Sequence, residues 1–181
     1  AYGGVTGYNM IDPGDARVQM VRAFIPLGLA TPFVDASFKL ERDKAYTLAL
    51  SGMSDQIKPL LYTDEYDGPG KGLARIRMLN LSPNAPAVDV VGVPIGSTET
   101  ITPVKNLAYT KASAYVTMKS GEWNFAIKPT GALTSLIQLD ETAVPEGQTI
   151  SVFLIGVVNG RPKLETDSAV DGTATPSQLR F

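Results

Sequence analysis

Glu122-Trp123-Asn124-Phe125-Ala126-Ile127-Lys128 sets Trp123, Phe125 and Ile127 on one side of an extended chain and Glu122, Asn124 and Lys128 on the other. Alternation with a period of two is the mark of a strand with one buried face. The same reading extends outward. Over residues 16–24, Ala16, Val18 and Met20 share a face opposite Arg17 and Gln19, and over 45–50 Tyr46, Leu48 and Leu50 fall together. Residues 113–119 alternate likewise, and 149–157 are nearly continuously apolar, as a central strand of a sandwich requires. No stretch carries the i, i+3, i+4, i+7 stripe of a helix. Pro13-Gly14, Pro83-Asn84, Ser120-Gly121, Glu146-Gly147 and Asn159-Gly160 separate the runs, so the pattern predicts an all-β sandwich rather than a βαβ fold.

Composition narrows the function. The 181 residues suffice for one medium domain or two small ones, and 44% hydrophobic against 19% charged residues is the balance of a chain with a core. Sixteen Lys and Arg against 18 Asp and Glu leave a net charge of -2, which offers no broad basic face and argues against nucleic acid as a partner. The longest apolar run, 152–158, is far short of the roughly 20 residues of a membrane helix. The chain has no His and no Cys, which removes imidazole bases, thiol chemistry, disulfides and nearly every zinc site. No cofactor and no metal is expected, and no enzymatic activity. No charged segment followed by an apolar one opens the sequence, so Ala1 reads as a processed terminus or a boundary. A chain without thiols suits the cell exterior, the expected location, though a small cytosolic protein can lack them as well.

The two halves echo each other. Ala1-Tyr2, Tyr8 and Gly14 match Ala108-Tyr109, Tyr115 and Gly121 at an offset of 107; Gly52, Leu60 and Asp67-Gly68 match Gly156, Leu164 and Asp171-Gly172 at 104. The difference predicts a longer connection in the first half, around residues 26–31. Gly68-Pro69-Gly70-Lys71-Gly72 reads as a linker. The expected domains are residues 1–68, a linker 69–72, residues 73–175 and a tail 176–181. Residues 73–107 have no counterpart earlier, so the first unit is expected to lack the two N-terminal strands that 73–81 and 87–93 supply to the second.

Residues 74–90, Ala-Arg-Ile-Arg-Met-Leu-Asn-Leu-Ser-Pro-Asn-Ala-Pro-Ala-Val-Asp-Val, resemble the signature of the domain of unknown function 4397 family, approximately A-R-[VI]-R-x-x-H-A-S-P-[DN]-A-P-x-V-D-V. The segment 109–115, the turn at Ser120-Gly121 and the strand entry at Gly147-Gln148-Thr149 resemble it too. The resemblance implies secreted or surface-anchored proteins built of tandem immunoglobulin-like β-sandwich units, with no established enzymatic activity. Asn80-Leu81 stands where many members have His-Ala, so no role of that histidine carries over. Within the signature, Ser82-Pro83 initiates a turn and Pro86 fixes φ on the way out. Asp89, facing away from Val88 and Val90, either accepts hydrogen bonds from amides of 82–85 or is a solvated outer-face residue.

Other candidates weigh against plainer readings. Asp64-Glu65-Tyr66-Asp67-Gly68 could offer oxygens to calcium but lacks the spacing of a calcium loop, and a solvated edge is the expected state. Asp12-Pro13-Gly14-Asp15 reads as a turn and Asp140-Glu141 as a polar strand end. No carboxylate pair can be placed for glycoside hydrolysis, and no S-x-x-K or G-x-S-x-G motif supports serine catalysis. Tyr2, Tyr8, Tyr109 and Tyr115 recur at matched positions, either as a sugar platform or as partners within the sheet; Trp123 is expected in the core. Asn80-Leu81-Ser82 fits the glycosylation pattern at chance frequency.

A sandwich short of strands exposes a sheet edge and apolar core. The expected function is therefore a non-catalytic structural subunit of a surface filament, its copies joined by β-strand complementation. The groove is expected around Tyr2, Tyr8, Val18, Leu48 and Leu60, filled by a neighbour's residues 177–181, with Leu179 and Phe181 as its apolar edge. The alternative is a monomeric surface module that recognises carbohydrate or protein.

Overall fold

In the computed structural model the described residues are 3–21, 31–53, 56–171 and 178–181. All regular structure among them is β. The strands are β1 (Asn9–Met10), β2 (Gly14–Met20), β3 (Val34–Leu40), β4 (Ala45–Ser51), β5 (Lys58–Asp64), β6 (Leu73–Asn80), β7 (Val88–Pro94), β8 (Ile101–Leu107), β9 (Val116–Lys119), β10 (Gly121–Pro129), β11 (Ile137–Val144), β12 (Thr149–Ile155), β13 (Glu165–Val170) and β14 (Gln178–Arg180). They form two compact units, divided between Asp64 and Glu65 rather than at 69–72. The first holds residues 6–64 and 178–181, and the second holds residues 3–5 and 65–171. Gly70 and Gly72 of the expected linker lie inside the second unit, where Gly72 O accepts the amide of Ser120.

The second unit is a sandwich of β13-β12-β6-β9 over β11-β10-β7-β8. Met78 and Leu154 from the first sheet meet Val88, Val90, Val104, Leu107 and Ile127 from the other in one core. Trp123 is 4% exposed and clusters with Ala74, Met118 and Val144. Its ring stacks on Phe125 at 5.7 Å and its N–H donates to Lys119 O at 3.0 Å. Gly92, across from Phe125, is small by necessity, since a Cβ there would come within 2.8 Å of the Phe125 ring. Residues 73–107 supply three strands, not two: the segment after β7 returns as β8.

The first unit repeats this plan with strands missing. Its sheet β1-β14-β4-β5 matches β9-β6-β12-β13 strand for strand, including a parallel pairing of β14 with β4 like that of β6 with β12. Its second sheet is β2-β3 alone, matching β10-β11. Gly14 and Gly121 open the matched strands at φ 128° and 122°, a region that favours glycine. The registers place the longer connection of the first half between Met20 and Val34, where the sequence put it; residues 26–30 themselves lie outside the described residues. Among the described residues nothing stands in the places of β7 and β8.

One part of the sequence alignment is corrected. Leu48 pairs with Leu61 and Val152 with Ser168, so β5 and β13 match at 107, and Asp64, not Asp67, is the counterpart of Asp171. The loop after Gly156 is the longer one there. Leu60 and Leu164 are therefore not equivalent.

Trp123→Ala removes a buried ring from a packed cluster and is expected to cost roughly 3–5 kcal/mol in chemical denaturation of the second unit. A loss under about 0.5 kcal/mol, the scale of surface changes, contradicts this packing.

Candidate functional site

The slot between β1 and β4 is where the first unit is completed, and the chain's own C-terminal strand fills it. Asn9 pairs with Leu179 and Met10 with Gln178 on one side; Ala45, Tyr46 and Thr47 pair with Gln178, Leu179 and Arg180 on the other. The amide of Thr6 donates to Phe181 O at 2.8 Å, and the Phe181 amide donates to Thr6 Oγ1 at 3.0 Å. Leu179, 4% exposed, packs with Leu40, Tyr46 and Leu48, and with Val18, Ala16 and Phe38 at the rim. Burial of one such leucine contributes about 1.5–3 kcal/mol before ordering costs.

This corrects the expectation that a neighbouring chain must fill the groove. The same chain does so. It also corrects the tail's apolar edge: Phe181 is 40% exposed, whereas Arg180 is 1% exposed. Strand alternation sends Arg180 to the face opposite Leu179, and that face holds a second set of contacts. Arg180 Nε donates to Thr47 Oγ1 at 2.7 Å, Thr47 Oγ1 donates to Asp64 Oδ2 at 2.7 Å, and the Tyr8 hydroxyl donates to the same Oδ2 at 2.6 Å. The Arg180 guanidinium lies 4.9 Å from the Tyr8 ring centroid.

The second unit has the same arrangement. Arg77 Nε donates to Ser151 Oγ at 2.7 Å, and Ser151 Oγ donates to Asp171 Oδ2 at 2.8 Å. Tyr115 donates to the same carboxylate oxygen at 2.5 Å, with Arg77 4.7 Å from its ring. Burial, with the Asp171 charge adding to it, pushes the Tyr115 hydroxyl well above the ordinary tyrosine range, against the pull of Arg77, so it stays protonated at neutral pH. Arg180 thus stands where Arg77 stands, and Gln178-Leu179-Arg180 is the counterpart of Arg75-Ile76-Arg77. In the second unit Arg75 also lies over Tyr115, at 5.3 Å, and Glu65 pairs with it. The tail keeps only the inner arginine of the pair.

The remaining candidates settle as follows. Tyr2 lies outside the described residues. Tyr8 and Tyr115 lie half-buried just before β1 and β9, each bonded to a carboxylate through its hydroxyl, rather than as cross-strand partners. Val18 and Leu48 pack with Leu179 in the same cluster, and Leu61, the neighbour of Leu60, is the β5 leucine that joins it. The acidic segment is engaged: Asp64 binds Tyr8 and Thr47, Glu65 pairs with Arg75, and Asp67 O accepts from Thr149 at 3.0 Å.

The signature loop is a structural corner held by asparagines. Asn80 is 0% exposed; its Nδ2 donates to Leu107 O at 3.1 Å and its Oδ1 accepts the Ser82 amide at 3.2 Å. That burial removes Asn80 as a glycosylation acceptor in the folded chain. Asn84 bonds Val158 both ways, at 3.0 and 2.8 Å. Ser82 is buried, Pro83 half-buried and Pro86 exposed. Asp89 turns elsewhere than expected: it accepts the Asn106 amide at 2.7 Å, the Thr130 hydroxyl at 3.1 Å and the Gly131 amide at 3.3 Å. Of these the Asn106 amide does most to hold its carboxyl below the usual range.

A family model described as Domain of unknown function (DUF4397) matches residues 1–91, a span that runs through the signature into β7. The chain belongs to that family. No curated protein matches it.

Arg180→Ala is expected to lower the stability of the first unit by about 1.5–3 kcal/mol, the scale of a hydrogen bond to a charged group, and to leave the second unit's transition in place. Amide exchange resolved by unit checks this. Asp89 predicts an acid limb. Its folded pKa is depressed, so its contribution is present above the unfolded value near about 4 and lost as pH falls through the lower folded value. Asp89→Asn should therefore be less stable than the parent at neutral pH, with the gap closing in unfolding curves as pH falls through the lower folded value.

Proposed function

We propose, taking membership of the DUF4397 family as the premise, that the protein is a non-catalytic structural component of the cell exterior. In this reading it is a self-assembling subunit whose sandwiches are completed by β-strand complementation. The observation that carries the reading is β14 seated between β1 and β4 with Arg180 in the place of Arg77. A slot built to take an Arg-bearing strand in parallel with β4 accepts that strand from any chain that offers it. The tail of a second copy presents the same Gln178, Leu179 and Arg180. Exchange of β14 between copies is head-to-tail, and such contacts extend into fibres unless the rotation closes them.

The alternative is a monomeric surface module for carbohydrate or protein. Closure of the slot within one chain favours it, since no partner is then needed to bury Leu179 and Arg180.

Mass measurement separates the two. The chain is refolded from denaturant at millimolar and at micromolar concentration. The assembly reading expects strand-exchanged polymers at the higher concentration, visible by electron microscopy, and their loss when 178–181 are deleted. A single species of 19.3 kDa at every concentration supports the monomeric module.

A further inference from the structure

The second unit contains a cavity of about 260 Å³ between its two sheets. Met78, Phe125, Ile127 and Val152 contribute to its apolar wall, and it reaches the edge strands β11 and β13. There the lining changes character, to Thr142, Thr166 and Ser168 with Asp167 beside them. Thr166 and Ser168 pair with Leu154 and Val152, so their side chains share the inward face with those residues. Among the described residues none of these three hydroxyls has a hydrogen-bond partner in the protein. Thr142 and Thr166 are half-buried and Ser168 is exposed, so these hydroxyls ring the open mouth of the cavity, where solvent or a ligand can bond them.

The first unit serves as an internal comparison. Ala16 pairs with Phe38 where Trp123 pairs with Thr142, and Leu48 pairs with Leu61 where Val152 pairs with Ser168. Phe38 and Leu61 pack onto the core of the first unit. The second unit has replaced both with small hydroxyl residues. Its compensating large residue does not refill the space: the Trp123 indole clusters with Ala74 and Met118, toward β6 and β9.

We propose that this cavity is a binding site for a small apolar molecule with an alcohol-type head group. The aliphatic or aromatic body lies against Met78, Phe125 and Ile127, and the head bonds the hydroxyls of Thr142, Thr166 and Ser168. Ligand sites combine this kind of apolar lining with a few convergent polar groups. The volume is ample, since an engineered apolar cavity of about 150 Å³ already takes up benzene. Threonine and serine hydroxyls both donate and accept, which suits a neutral hydroxyl rather than a carboxylate beside Asp167.

The test titrates the full chain with 1-octanol and reads Trp123 emission and thermal unfolding. Trp123 is the single tryptophan and stacks on Phe125 of the cavity wall, so it reports occupancy. The expected result is a saturable emission change and a rise of a few degrees in the second unit's unfolding temperature at saturating alcohol, about the shift that ligand linkage gives a domain of this size. Thr142→Phe with Ser168→Leu, the residues the first unit carries, should weaken binding at least tenfold while keeping the parent's circular dichroism. Should the double variant fail to fold, Ser168→Leu alone is judged by the same criterion. A linear, unsaturable response, or equal affinity in the folded variant, overturns the proposal.

Discussion

A buried arginine organises each unit. Arg77 and Arg180 sit on interior strands of their sheets, where an unpaired guanidinium would be costly, and each is held by a hydroxyl and a tyrosine ring that are themselves bonded to one carboxylate. The carboxylates, Asp171 and Asp64, stand at strand ends, and each accepts both the hydroxyl and the tyrosine. Four segments distant in sequence are thereby fixed to one another: the strand that bears the arginine, the strand parallel to it, the last strand of the unit and the tyrosine segment. In the first unit Arg180, from residues 178–181 of the same unit, fills the position that Arg77 fills in the second. The network specifies register as well as location. A slip of one residue in β14 would exchange Leu179 and Arg180 between an apolar cluster and a polar one.

Much of the fold was legible because alternation is a local signal. Strands β2, β4, β10 and β12 follow from the spacing of Val18, Leu48, Trp123 and Val152, and the repeat from Tyr8–Tyr115 and Gly14–Gly121. The offset broke down after Gly156 because loop length is invisible where two offsets both yield a match for Asp171, Asp67 at 104 and Asp64 at 107. Asp89 was correctly turned away from the core, but its partners at Asn106 and Thr130 lie 17 and 41 residues on, beyond what a short-range hydrogen-bond rule can find. The tail failed for a related reason. Alternation in Leu179-Arg180-Phe181 identifies two faces without saying that the charged one is buried, and the signal that could have said so was its likeness to Arg75-Ile76-Arg77.

The cavity and the slot are two uses of one architecture. In the first unit Phe38 and Leu61 fill the space between sheets, and the unit's shortage lies at the edge of β2, where β7 would stand. In the second unit all eight strands are present, and the corresponding positions, Thr142 and Ser168 on its edge strands, carry small hydroxyl residues. Core substitutions of this size cost stability unless the vacated volume is used.

Were β14 to exchange between copies, as proposed, closure within one chain would compete with exchange through the effective concentration of the chain's own strand, commonly millimolar when two partners are joined by a short connection. On that reading dilute chains would close on themselves. Against this, β14 contributes three residues and one fully buried apolar side chain, so releasing it requires far less than global unfolding. On the proposed reading, a strand from a second copy would rebuild the Arg180–Thr47–Asp64–Tyr8 set. Enthalpy would then be nearly equal on both sides, and local concentration would decide between the closed and the linked form.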